Sequence, residues 1–444
     1  MARRLRARQG ILEPGFRYPS TFKALRHRNY RLFFFGQMVS LVGTWMQTIA
    51  QQWLIYRLTG SATMLGVISL LGVLPLLPVS LWGGSVADRF PRRDIIVVTQ
   101  TTMMFLAFLL AALTWTGTVQ VWQVLVLSVA LAAANAVDIP ARQAFVVEMV
   151  EGKDDLANAI GLNSALFNGA RAVGPALAGV AVATTGEAGA FFINGITFVP
   201  VIAGLLLMRL PRQARPTQTA RLGSHLLEAF RYVTGQQLVL VLMSLVAVSA
   251  FLSMPYSTLM PVFASDVLGD SAEPVVQAVC GTLGRWFGTT CQSPSALAYG
   301  LLMAATGLGA VTGALFVASL SASARRGRWL TAGNLIFPAL VVGLALSPSF
   351  ALSLVLLTGI GFSFVAQNAL SNTLIQISVP DELRGRIMSF YSLTFQGMMR
   401  MGGMQAGFVG DRWGAPLAVG LGAVICLGYG LFVAWRYPRV RHIV

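Results

Sequence analysis

The stretch Gly84-Ser85-Val86-Ala87-Asp88-Arg89-Phe90-Pro91-Arg92-Arg93 places one acid and three arginines between two long apolar runs. Residues 62–83 before it and 95–114 after it are each long enough, at about 1.5 Å per residue, to cross a hydrocarbon core of roughly 30 Å as helix. The decapeptide is therefore predicted to be a tight turn at a membrane surface. Further apolar runs lie at 32–56, 121–141, 158–184, 189–208, 238–263, 297–320, 329–347, 350–376, 386–409 and 415–435, which makes twelve. Backbone polar groups in lipid must be satisfied within their own segment, and period-2 alternation is absent. The predicted fold class is all-α, a polytopic membrane protein with twelve transmembrane helices.

Composition agrees: 55% of the residues are hydrophobic and 11% charged, with a mean hydropathy of +0.69, outside the soluble globular range. The net charge of +16 invites a nucleic-acid reading, so the placement of the basic residues decides. With the N-terminus in the cytoplasm, only Arg57, Arg285 and Arg412 of the 32 basic residues fall outside, and Arg171 and Arg400 fall within spans. That is the positive-inside pattern. The basic residues set topology and meet anionic membrane lipid, and no nucleic-acid partner is expected. The run from Leu32 is too long for a signal-peptide core and has no small-residue cleavage site, so residues 1–31 are expected to remain a basic cytoplasmic segment.

The second half of the chain echoes the first. Ser61-Ala62-Thr63-Met64-Leu65-Gly66 matches Ser295-Ala296-Leu297-Ala298-Tyr299-Gly300, and Ser164 to Gly169 matches Ser392 to Gly397. The same alignment sets Ser323 opposite Asp88, Ser371 opposite Asp138, and Arg171 beside Arg400. Between the copies, residues 209–223 are polar and proline-punctuated, which reads as a linker.

The spacing Gly-x-x-x-Asp-Arg-x-x-Arg-Arg at 84–93 resembles the loop between helices two and three of the major facilitator superfamily of secondary transporters, with Pro91 where that loop usually has glycine. Residues 161–179, with Gly174-Pro175, are similar to the fifth-helix antiporter motif of exporters in that superfamily, with Ala170 and Ala178 in place of glycines. Asn29-Tyr30-Arg31, Ile139-Pro140-Ala141-Arg142, Asn168-Gly169-Ala170-Arg171 and Pro380-Asp381-Glu382-Leu383-Arg384-Gly385-Arg386 resemble the bacterial branch of transmembrane secretion effectors that contains enterobactin-type siderophore exporters. The resemblance implies two six-helix bundles, 32–208 and 238–436, joined by a cytoplasmic linker 209–237. A short cytoplasmic tail, 437–444, closes the chain, and the resemblance implies a monomer in the inner membrane.

The resemblance also implies gating residues: Asp88, Arg89, Arg92 and Arg93 of the opening stretch, and Arg384 and Arg386 at the start of helix 11, whose N-terminus favours an anion such as Asp88. Asp138 and Arg142 sit one turn apart near the inner boundary, where an acid is expensive unless paired. Either they form a permanent pair, or Arg92 and Arg93 exchange onto Asp138 as a gate. Gln37, Thr44, Gln47 and Gln51 share a face of span 1, and Asn135, Tyr256, Gln367 and Asn368 lie on spans 4, 7 and 10. These faces either line a water-filled cavity or glue helices together. Arg171 and Arg400 have no acid in their own spans, so they either meet an anionic amphiphile or are satisfied by backbone carbonyls.

Relative to the first copy, the second carries about two dozen extra residues near 270–295, on the outside. Cys280 and Cys291 fall there, where disulfides persist, which favours a bridge over two free thiols. His27, His225 and His442 are scattered, no phosphate-binding loop is present, and neither enzyme activity, metal nor cofactor is expected. A proton is the candidate coupling ion. The function expected is export of a small amphipathic molecule by alternating access, with a lysophospholipid flippase and a non-transporting receptor or scaffold as alternatives.

Overall fold

The computed structural model describes residues 20–75, 90–150, 152–209, 222–288, 290–320 and 325–442. All regular structure among them is helical. A short 3₁₀ helix, Ser20–Arg26, leads into α1 (Arg28–Thr59). Gly60 ends α1 with φ 60°, a left-handed conformation that glycine adopts without strain, and returns its N–H to the Tyr56 carbonyl. Ser61 then caps α2 (Ala62–Leu71). The regular bonding of α2 stops there: Val73 N and Leu74 N bond to Leu70 O and Leu71 O, three residues back, which leaves Ser69 O without its usual partner.

The helices α3 (Arg92–Trp115) and α4 (Val121–Met149) follow, then α5 (Lys153–Leu206). At 54 residues α5 would be about 80 Å long if straight, far beyond a bilayer. It breaks at Gly186, φ 71° and ψ 176°, a conformation open in practice only to glycine. Both arms lie along α1: a Cβ at Gly174 would meet Trp45, one at Gly36 would meet Val201, and the Tyr30 hydroxyl donates to Ala159 O. The helix therefore doubles back, and the expected spans 158–184 and 189–208 are its two arms.

The second half begins with α6 (Leu222–Gly235) and α7 (Gln237–Val248). Beyond α7 the path is irregular, with π-helical turns at Ser249–Ser253 and Phe263–Val267 around a 3₁₀ turn at Met254–Ser257. Pro255 and Pro261 each remove a backbone donor there. Next come α8 (Gly269–Phe287), α9 (Pro294–Ser319), α10 (Arg326–Leu346), α11 (Phe350–Ile377), α12 (Asp381–Trp413) and α13 (Ala415–Arg436).

Among the described residues, nine helices are long and apolar enough to cross a membrane. Among these, α5 counts once although it bends at Gly186, while α2, ten residues long as described, and α12 do not qualify. Within the first half α1, α3 and α4 pack with α5 and one another, and within the second α10 joins α11 and α13 while α9 packs on α11. The halves meet where α5 crosses α9 and α2 crosses α12. Both crossings use the same repeat positions: a Cβ on Gly179 would meet Gly300 and the Leu297 carbonyl, and one on Gly407 would meet the Ala62 carbonyl. Such close approach of backbones is the usual role of small residues between membrane helices.

Candidate functional site

The end of the molecule that carries the disulfide is sealed across the two halves. Asp411, at the end of α12, caps the start of α2. Its Oδ2 accepts from Ser61 Oγ at 2.6 Å and Thr63 N at 2.9 Å, and its Oδ1 from Ala62 N at 2.6 Å. The free N–H groups of a helix start suit a carboxylate. Beside it the Tyr56 hydroxyl donates to Asp266, and Tyr299 donates to Gln52 while its ring stacks on Trp53. Cys280 and Cys291 are bonded, with Cα atoms 5.8 Å apart, and next to that staple Gln292 N donates to Ala183 O at 2.6 Å. Ala183 is the repeat counterpart of Asp411, so both crossings are pinned at the same level.

Arg171 lies below this seal, where the halves meet. Its guanidinium carbon is 6.0 Å from the Trp45 ring of α1 and 5.6 Å from the Phe364 ring of α11. Tyr256, on the irregular continuation of α7, is its electrostatic neighbour. Among the described residues it has no hydrogen bond or ion pair, so its charge is met by π faces alone. Its repeat mate differs: Arg400 Nη1 donates at 2.8 Å to Ser69 O, the carbonyl that the end of regular α2 sets free. Arg400 is thus satisfied by backbone, one of the two outcomes its sequence left open.

Asp138 is fully buried and paired with its own turn, Oδ2 to Arg142 Nε at 2.5 Å. Its Oδ1 accepts from Thr99 Oγ1 at 2.8 Å and Gln100 Nε2 at 3.1 Å, and Arg142 also donates to Gln37 Oε1 at 2.7 Å. Arg92 instead pairs with Glu148 at 2.7 Å, and Arg93 donates to Leu206 O at 3.0 Å. Neither arginine is on Asp138. Arg384 pairs with Asp381 and Arg386 with Glu228 of α6. Asp88 and Arg89 lie outside the described residues.

Of the two readings open for the glutamine stripe of span 1, this structure has the helix-joining one. Gln37, Gln47 and Gln51 are buried and turned toward α4 and α5, where they bond to Arg142, Asn194 and Ser128. Thr44 gives its hydroxyl to Ser40 O. They form a seam within the first half instead of an open wall. The α1 side chains that meet the second half are Gln52, Trp53 and Tyr56, against Tyr299 and Asp266. Asn135 donates to Leu131 O of its own helix at 3.0 Å. On the other side, Tyr256 is buried edge-on to Phe337, Gln367 packs against Gly333, and the Asn368 carbonyl accepts from Tyr391.

Sequence reading missed Asp411, Asp266, Gln52 and Tyr299. The available signal was Ser61, a strong N-cap residue whose helix start needs acceptors, but nothing in the chain points to a carboxylate 350 residues away.

This is a multi-pass membrane transporter of the major facilitator superfamily, not an enzyme. The sequence profile of transmembrane secretion effectors matches residues 19–285 and 289–442, and the chain belongs to that family. It is similar to the staphyloferrin A transporter of Staphylococcus aureus, 24% identical over 55% of this chain and 61% of that one, so the match spans less than two thirds of that transporter. The multidrug efflux pump Tap of Mycobacterium tuberculosis is 26% identical over 93% of this chain and 94% of its own. The enterobactin exporter EntS of Salmonella typhi is 25% identical over 90% and 87%. In fold it resembles the crystal structure of a bacterial homologue of the human lysosomal transporter Spinster, inward-facing and unoccupied, with TM-score 0.61, 16% identity, and coverage of 96% and 98%.

Proposed function

We propose that the protein exports a small amphipathic molecule, anionic in at least one part, across the bacterial inner membrane by alternating access. The working unit is a monomer of twelve spans in two six-helix halves, 32–208 and 238–436, with both termini and the linker 209–237 in the cytoplasm. The two arms of α5, the start of α2 and the polar α12 supply the three spans beyond the nine. The disulfide end faces outward and is closed in the state described. One observation carries the reading: Arg171, a cation without a counter-charge among the described residues, lies between aromatic rings of opposite halves beneath that seal. An unpaired guanidinium at such depth is costly, and an anionic group of a substrate would relieve it. The siderophore and drug exporters among its relatives fit this use.

Outward opening must break the Asp411 cap and the Gln292–Ala183 bond, and the opening stretch with Asp88 then closes the inner side against α12. Proton coupling, if the export is proton-driven, is placed at Asp138, the carboxylate that holds Arg142. The test is transport in proteoliposomes: Arg171→Gln should lower export of anionic substrates about tenfold while sparing cationic ones. Equal loss for both would remove substrate contact from Arg171. Counting protons against substrate in the same vesicles, with Asp138→Asn alongside, tests the coupling.

A further inference from the structure

At the arginine-rich end, α1 and the last turns of α5 leave an apolar groove of about 520 Å³, lined among others by Arg31, Phe35, Val39, Pro200, Ala203 and Leu207. Its floor is backbone: a Cβ on Gly36 would come within 2.7 Å of Val201 Cα, and one on Gly204 within 3.1 Å of Leu32 O. Its walls are exposed apolar side chains, Phe35 at 49%, Val39 at 39% and Leu207 at 60%. From Arg31 to Val39 it runs along α1 for about 12 Å, from a charged mouth to a wholly apolar interior.

The mouth is basic. Arg31 lines it, and Arg28 Nη1 donates to Leu207 O at 3.2 Å. Arg93 reaches the adjacent Leu206 O, and Arg209 is tethered by Asn29, whose Nδ2 donates to Arg209 O at 2.9 Å. Among the described residues, Arg28, Arg93 and Arg209 make no ion pair, and the nearby Asp155 is engaged by Arg26 and His27. Asp94 follows Arg93 in the first turn of α3.

We propose that this groove binds one anionic phospholipid, its acyl chain against Phe35, Val39, Pro200 and Ala203 and its phosphate at Arg28 and Arg31. Charge complementarity selects an anionic headgroup, because two guanidinium groups at the leaflet surface each strengthen binding of negative lipid. A free phosphate would leave the apolar interior unfilled, and a zwitterionic lipid would gain less from the mouth. The inference needs only that α1 and α5 cross a membrane, and it stands whether or not the protein is an exporter.

Native mass spectrometry of the detergent-purified full chain, offered equimolar phosphatidylglycerol and phosphatidylethanolamine, tests it. The wild type should retain one phosphatidylglycerol in preference. R28Q/R31Q should weaken that binding about 30-fold, R28K/R31K should keep most of it, and V39W should weaken both lipids by filling the groove. R325Q/R326Q, which removes two charges elsewhere in the sequence, should retain the wild-type preference. Absence of a preference in the wild type, undiminished binding by R28Q/R31Q, or an equal loss in R325Q/R326Q would overturn the site. Transport assays are separate, so failure of the export reading leaves this result unchanged.

Discussion

The two ends of the molecule are held together by different means. At the disulfide end one continuous apolar core draws residues from both halves, Leu54 and Phe191 with Leu259 and Tyr299, and hydrogen bonds cross between halves at Asp411, Tyr56, Gln52 and Gln292. At the arginine end there are two separate cores, one around Phe33 and Phe145 and one around Leu242 and Tyr391. Every ion pair recorded there among the described residues stays within its own half. The comparison teaches that charge density does not mark the closed end. Strong arginine–acid pairs brace each half internally, while a few neutral or singly charged bonds join the halves, and those are the ones that a moving transporter can break.

The largest effect expected follows from the crossing of α2 with α12. A Cβ on Gly410 would lie 3.4 Å from the Ala62 Cβ, near the range of a disulfide. Ala62→Cys with Gly410→Cys should therefore cross-link spontaneously and abolish transport, and reductant should restore it. Full transport by the cross-linked protein would break the comparison outright.

Asp138→Ala leaves the partly exposed Arg142 without its carboxylate and should cost about 3 kcal/mol of stability, the low end for breaking a buried pair, read as a lowered thermal midpoint in detergent. Asp138→Ala with Arg142→Leu should recover much of it. If the single variant melted like the wild type, internal bracing of the arginine end would be wrong.

A smaller effect is expected at the cap. Asp411→Ala removes three accepted bonds from an exposed site, and an N-cap is worth about 1 kcal/mol, so the disulfide end should open several-fold more often. Spin-label distances between α2 and α12 would report this, and unchanged distances would make the cap incidental.

The least change is expected with pH. Burial raises the Asp411 carboxyl pKa, but the Ser61, Thr63 and Ala62 donors outweigh it and hold the group below the ordinary carboxylate range. A depressed pKa in the closed state means that the cap is fully present above about pH 4 and is lost as pH falls through the depressed value. The same spin-label distances should stay fixed from pH 8 to pH 5. Opening within that window would transfer the control to another group.

Legibility in the sequence followed the range of the interaction. The helices were readable because twenty apolar residues need no knowledge of their neighbours to choose lipid, and even the α5 bend fell where the apolar runs paused. The Cys280–Cys291 bond was readable because both thiols share one short segment. The glutamine stripe on α1 was readable as a stripe but not in direction. Gln37 and its companions have periodicity that fixes a common face, and only α4 and α5 decide that this face looks inward to its own half. Arg171 and Arg400 make the same point, since arginines within one residue of each other in the repeat end against aromatic rings in one case and a freed carbonyl in the other.

By itself the sequence determined that this chain is an all-helical, multi-pass membrane protein, because hydropathy and the cost of charge in lipid act segment by segment. Only the tertiary structure decided which polar residues join the halves. Asp411 meets Ser61, and Arg171 stays unpaired among the described residues, through crossings between helices hundreds of residues apart, and no local preference encodes such a meeting.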